Sequence, residues 1–97
     1  MKLREVVREP SFDQTAEATF GSIARADAYL AVVEWMLARV SDLTEFPQVE
    51  VSELGIVRAL TTEPSHEMPA MIVIFTEGDG GRIHLLSVGR AIPSDAN

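Results

Sequence analysis

The stretch that decides the fold consists of Ala70–Glu77 (AMIVIFTE), Gly78–Gly81 (GDGG) and Arg82–Val88 (RIHLLSV). The first segment is almost wholly apolar, which is typical of a central strand covered on both faces. The next four residues are glycines and one aspartate, which tolerate the positive φ angles of hairpin turns. We therefore predict a β-hairpin in which the third segment returns beside the first.

Two further strand candidates precede this hairpin. Residues Ile56–Thr61 predict a strand with Ile56, Arg58 and Leu60 on one face, because side chains alternate across a strand. Val49 and Val51 predict the start of a shorter one. Residues 62–69 hold two prolines among polar side chains, so we expect a loop there.

The first forty residues predict a strand and two helices. Residues 2–8 read as a short strand ended by Pro10, since proline cannot donate to a ladder. Ser11 and Gln14 have capping-box spacing and predict a helix start. Gly21 suits the end of that helix, and a longer helix follows over residues 22–41. Apolar residues at helical spacing define the buried faces: Phe12, Ala16, Phe20, Ile23, Ala26, Leu30, Val33, Leu37 and Val40.

These elements predict an α+β fold in the order β-α-α-β-β-β. It comprises an N-terminal strand, a helical hairpin and then a three- to four-stranded, mostly antiparallel sheet. We expect one domain over residues 1–97, with 91–97 as a flexible tail. The hairpin packs on one sheet face and leaves the other partly open, where a site would lie.

Composition narrows the class of protein. The chain has 97 residues, 15 acidic against 8 basic, a net charge of −7 and no cysteine. Disulfides, thiol nucleophiles and cysteine metal sites are therefore excluded. The longest apolar run is Met71–Phe75, too short to span a membrane, and the N-terminus lacks the apolar core of a signal peptide. We expect a cytoplasmic protein without a membrane partner.

The negative charge is concentrated in the middle of the chain. Residues 42–79 carry eight acidic residues and one basic residue, Arg58. The first strand and the end of the chain are more basic. This distribution disfavours a general nucleic-acid binder, which should be basic, and favours protein partners.

The candidate catalytic residues are cations and histidines that could serve RNA cleavage. Cleavage through the 2′-hydroxyl needs a general base, a general acid and positive charge at the phosphate. The candidates are Arg58, Arg82, Arg90, His66 and His84, with Lys2, Arg4 or Arg8 as further contributors. Arg58 and Arg82 could lie on neighbouring strands and meet on one sheet face. The alternative is that these side chains are solvated or paired with nearby carboxylates. Neither histidine belongs to a metal-ligand pattern, and we expect no metal or cofactor.

The element order resembles the RelE/ParE superfamily, the toxins of bacterial type II toxin–antitoxin modules. The ordered segments Leu54–Leu60, Met68–Phe75 and Asp79–Val88 carry the resemblance. It implies a RelE/ParE-like fold and a cognate antitoxin. It also implies one of two activities: ribosome-dependent cleavage of messenger RNA, or inhibition of DNA gyrase. Met71 stands where many members have arginine, and Phe75 has no hydroxyl.

The resemblance and the charge pattern lead to three hypotheses. The first is a ParE-like toxin that binds a protein target. Its antitoxin surface is the helical hairpin and an edge strand, with Phe12, Phe20, Leu30, Val33 and Leu37. The second is a RelE-like endoribonuclease that uses Arg58, Arg82 and His66 or His84. The third is a non-toxic interaction domain of the same fold that binds through its acidic segment. A homodimer and a toxin–antitoxin hetero-oligomer both remain open.

Overall fold

The structure, a computed structural model, describes residues 3–21, 23–52, 55–64 and 70–91. Two helices follow the first strand, and four strands follow the helices. In chain order the elements are β1 (Val6–Arg8), α1 (Pro10–Phe20), α2 (Ile23–Arg39), β2 (Gln48–Ser52), β3 (Gly55–Thr61), β4 (Met71–Glu77) and β5 (Ile83–Arg90). The fold is therefore α+β, as predicted.

The strands form one five-stranded sheet in the order β1-β5-β4-β3-β2. The apolar strand β4 lies at its centre, and the turn after it contains Gly80 and Gly81 at positive φ, as the sequence predicted. The sheet is mixed, however, because β1 runs parallel to β5 while the other three pairings are antiparallel. The four strands after the helices agree with the three to four expected there, and β1 joins them as a fifth. The first strand begins at Val6 instead of residue 2.

The start of α1 differs from the predicted capping box. The helix begins at Pro10, which suits the first helical position because its missing N–H is unpaired there in any case. Glu9 precedes it and makes no side-chain cap. The Ser11 hydroxyl donates to the Leu86 carbonyl at 2.7 Å instead of capping the helix. The C-terminal prediction is confirmed, since Gly21 has φ 86°.

Hydroxyl groups of α1 protect the edge of β5 where β1 ends. Strand β1 pairs only with Ile83–Leu85. Beyond it, Thr15 accepts a hydrogen bond from the Val88 amide at 2.9 Å, and the Thr19 hydroxyl donates to the Val88 carbonyl at 3.3 Å. With Ser11, these residues recur every four positions and so share one side of the helix. They satisfy backbone groups that an open edge strand would leave unpaired.

Both helices pack on one face of the sheet and form the core with it. Phe12 and Ala16 of α1 meet the buried side of β4 and β5, and α2 contributes a second apolar row. Four residues predicted to bind a partner lie in this core with 0–4% exposure: Phe12, Leu30, Val33 and Leu37. Phe20 is half-buried and packs against the same cluster. In this fold these five side chains contact their own chain, which corrects their assignment to a partner surface.

The opposite face of the sheet is partly open. Met71, Val73 and Phe75 point toward the helices and are fully buried, whereas Ile72 and Ile74 alternate with them and are half-buried. The prediction of two fully covered faces for β4 therefore holds for one face only. None of the described helices has both the length and the apolar character needed to cross a bilayer.

Candidate functional site

Arg58 lies on the helix-covered face of the sheet. It pairs in register with Phe75, a fully buried core residue. Its Nη1 donates to the carbonyl oxygen of Phe46 at 2.8 Å, and the Phe46 ring stands edge-on to Phe75 at 5.5 Å. Arg58 therefore holds the connector between α2 and β2 against the sheet.

Arg82 and His84 lie on the partly open face, because they alternate with the buried Ile83. The Arg82 Nε donates to Glu5 Oε1 at 2.7 Å. The Nδ1 of His84 is 2.9 Å from Glu9 Oε1, and these two carboxylates flank β1. The hypothesis that Arg58 and Arg82 meet is wrong, because β4 separates their strands and they occupy opposite faces.

The remaining candidates do not join this group. Arg90 is exposed at the far end of β5, opposite Met71. It is about 20 Å along the strand from His84, at roughly 3.3 Å per residue. His66 and Lys2 lie outside the described residues.

The first-strand arginines are structural and point toward the helices. The Arg8 guanidinium forms a two-pronged ion pair with Glu34, at 3.0 and 3.1 Å, and also contacts Asp27. The hydrogen bond to Glu34 is the main cause that raises the pKa of Arg8 above its ordinary value, and Asp27 adds to it. Arg4 donates to four acceptors near the end of α2 and the β4–β5 turn. Neither side chain is on the face that holds Arg82 and His84.

The pairings on the partly open face limit its chemistry. A histidine beside a carboxylate can transfer protons, so His84 and Glu9 form a reasonable acid–base pair. Phosphate binding requires positive charge that is free to meet it. Here Arg82 and His84 each face a carboxylate of the same chain at hydrogen-bond distance. Within the described ranges, no three His, Cys, Asp or Glu side chains are grouped to hold a metal ion.

Gly78 allows the His84 ring to take this position. A Cβ at residue 78 would lie 2.6 Å from His84 Nε2, closer than van der Waals contact allows. We expect Gly78→Ala to displace the imidazole, to disturb its contact with Glu9 and to lower the free energy of unfolding by about 1–2 kcal/mol. The measurement is NMR of the His84 ring together with urea unfolding.

Gly89→Ala is the matched control for that substitution. Gly89 lies in β5, and a Cβ there meets nothing within 4 Å. We expect unchanged His84 signals and stability within about 0.5 kcal/mol of the parent. Unshifted His84 signals in Gly78→Ala would contradict the packing described above.

Exposed apolar side chains mark two other surfaces. Val49, in the outer strand β2, is 52% exposed, and Ile56 of β3 is 45% exposed. On α2, Val32 and Trp35 are 68% and 60% exposed. The apolar spacing of α2 predicted that Val32 widens the buried stripe, and its exposure shows that this prediction is wrong. Trp35 was predicted to be a core or interface anchor, and its exposure rules out the core.

The segment between α2 and β2 carries negative charge in Asp42 and Glu45. Asp42 accepts hydrogen bonds from the Thr44 hydroxyl at 2.6 Å and the Thr44 amide at 3.0 Å. These bonds lower the pKa of Asp42 below its ordinary value, so it stays ionised. Glu45 follows in the same turn and is exposed. Two acidic side chains thus precede β2 in the segment that Arg58 and Phe75 hold against the sheet.

No protein-family model matches the chain, and comparisons with curated proteins and with solved structures give no significant match.

Proposed function

We propose that this protein is a RelE/ParE-like toxin that acts by binding a protein target and is neutralised by a cognate antitoxin. One observation carries the choice of binding over catalysis. Among the described residues, the basic side chains considered for RNA cleavage are dispersed over the fold. Arg82, His84 and Arg58 are each also hydrogen-bonded to an acceptor of the same chain. The order of one strand, two helices and a sheet agrees with the resemblance.

The proposed antitoxin surface is the free edge of β2. Strand β2 is the last in the sheet order, so one side of its backbone is available for an added strand. Val49 is exposed there and offers an apolar contact. Asp42 and Glu45 lie just before the strand, which favours an extended antitoxin segment that carries basic residues.

Growth of a bacterial host on induction tests this proposal. We expect expression to arrest growth, and coexpression of the neighbouring small gene to restore it. Val49→Lys should arrest growth even with that gene present, because it places positive charge where the basic segment binds. Thr61→Lys adds the same charge at an exposed position of β3 and should remain neutralised. No growth effect, together with no copurifying protein, would reject the toxin proposal.

The second candidate is a ribosome-dependent endoribonuclease, favoured by the His84–Glu9 pair on the partly open face. Messenger RNA in a translating extract distinguishes the two. Cleavage that disappears in Arg82→Ala and His84→Gln would replace the first proposal with this one. Growth arrest that persists in both variants, without cleavage, would reject the ribonuclease.

A further inference from the structure

We propose that the exposed side of α2 is a homodimer interface, in which α2 packs antiparallel against α2 of a second copy of this chain. This surface is separate from the β2 edge assigned above. The inference therefore goes beyond the proposed function and does not depend on it.

Among the α2 side chains that the structure describes, the exposed ones are unusually apolar for a surface helix. Trp35 and Val32 are 60% and 68% exposed, and Ala24 and Ala31 are exposed beside them. A surface helix normally presents charged or polar side chains to water. A contiguous apolar patch on a water-facing helix is typical of an interaction surface.

One row of this helix has a self-complementary order. Asp27, Ala31, Trp35 and Arg39 recur every four residues and therefore form a single ridge. We place the twofold axis at the level of residue 33. Each residue of one α2 then faces the residue of the other α2 that lies the same number of positions beyond residue 33 in the opposite direction. Asp27 then faces Arg39 of the second copy, and Ala31 faces its Trp35. Opposite charges pair at both ends, and the small side chain makes room for the large one.

The packing geometry suits this arrangement. Ridges of residues four apart are inclined by about 26° to the helix axis, so two such ridges align when helices cross at about 50°. That is the commonest crossing class for helices in globular proteins. An isologous interface requires self-complementarity of this kind, because the same patch is used by both copies.

The distribution of charge also favours α2 over the rest of the surface as the contact between two copies. With a net charge of −7, two copies repel each other across most surfaces. On the α2 ridge one acidic residue is balanced by one basic residue. Asp27 contacts Arg8 within its own chain yet keeps a 51% exposed side chain. Arg39 stacks over the Trp35 ring at 4.1 Å, next to the proposed contact.

The isolated full chain tests the dimer directly, because Trp35 is its only tryptophan. Analytical ultracentrifugation should show a concentration-dependent doubling of mass. Trp35 fluorescence should shift to shorter wavelength over the same concentration range. Ala31→Arg should raise the dimer dissociation constant at least about tenfold, since it fills the space proposed for the indole.

Ala18→Arg makes the same substitution at an exposed position of α1 and should leave both readouts unchanged. A monomer with constant Trp35 emission at all concentrations would overturn the proposal. So would a dimer that Ala31→Arg leaves intact.

Charge reversal tests the register of the two helices. Arg39→Glu should weaken the dimer, because the introduced carboxylate would then face Asp27 of the other copy. Combining it with Asp27→Arg should recover dimerisation by reversing both pairs. Circular dichroism verifies that each variant is folded. A folded double variant that dimerises no better than Arg39→Glu would overturn the proposed register.

Discussion

Replacing Phe12 with alanine is expected to lower the stability of the fold strongly rather than to weaken a partner interaction. Phe12 is fully buried between α1 and the sheet, and it is among the largest buried side chains. Truncating a buried phenylalanine costs about 3–5 kcal/mol through lost transfer energy and the cavity left behind. Domains of this size have a total stability of only about 5–15 kcal/mol. Urea unfolding followed by circular dichroism measures the loss.

Phe20→Ala is the matched comparison, with the same substitution in the same helix. Phe20 is half-buried, so less apolar surface and a smaller cavity are involved. We expect a loss of about 1–2 kcal/mol. If Phe12→Ala were as stable as the parent but lost a bound protein, the helical hairpin would be a partner surface after all. Its placement in the core would then be wrong.

Arg4→Ala is expected to be nearly as damaging, although Arg4 is a charged residue near the N-terminus. Its Nε donates to the Val40 carbonyl at 2.8 Å, and its Nη2 donates to the Ser41 carbonyl at 3.1 Å. Its Nη1 donates to Glu77 at 2.8 Å and to the Gly81 carbonyl at 2.9 Å. One guanidinium thus joins the end of α2 to the β4–β5 turn.

The expected loss for Arg4→Ala is about 3 kcal/mol. The side chain is only 18% exposed, and its removal leaves the partly buried carbonyls of Val40 and Gly81 without this donor. Arg4→Lys should recover little, because an ammonium cannot reproduce the planar fork. Arg82→Ala is the control: its side chain is 50% exposed and pairs with Glu5, so we expect a loss of at most about 1 kcal/mol. Equal losses of stability for Arg4→Ala and Arg82→Ala, in thermal or urea unfolding, would contradict the role of Arg4 in joining α2 to the β4–β5 turn.

These results would separate structure from function in the basic first strand. The sequence permits Arg4 and Arg8 to join a catalytic face. The structure directs both toward the helices, where they bind carbonyl and carboxylate groups of their own chain. The basic character of this strand therefore stabilises the fold, which is consistent with the proposal that the protein binds a protein target.

Local patterns predicted the elements with good accuracy. The apolar run before GDGG predicted β4, and the structure places it at the centre of the sheet. Gly21 ends α1 in the left-handed conformation, as expected. Among the described members of the predicted apolar rows, Phe12, Ala16, Leu30, Val33 and Leu37 are buried, and Phe20 and Val40 are partly buried. Such features depend on neighbouring residues, so the sequence contains them directly.

The candidate site was harder to predict, because it depends on which strands pair and which face each residue takes. Alternation predicts that His84 lies opposite Ile83, but it does not say which face the helices cover. Likewise, a helical apolar row indicates burial without saying whether this chain or a partner covers it. For Phe12 and Leu30 the sheet of the same chain supplies the cover.

Local sequence patterns were sufficient to predict the helices, the hairpin, the acidic middle segment and the absence of cysteine chemistry. The parallel pairing of β1 with β5 is visible only in the folded chain, and it brings Glu5 and Glu9 beside Arg82 and His84. The tertiary structure also placed Arg58 on the opposite face from them. The difference lies in sequence separation, because turns and helix ends depend on residues only a few positions apart. The His84–Glu9 pair joins residues 75 positions apart, and only the closed sheet brings them together.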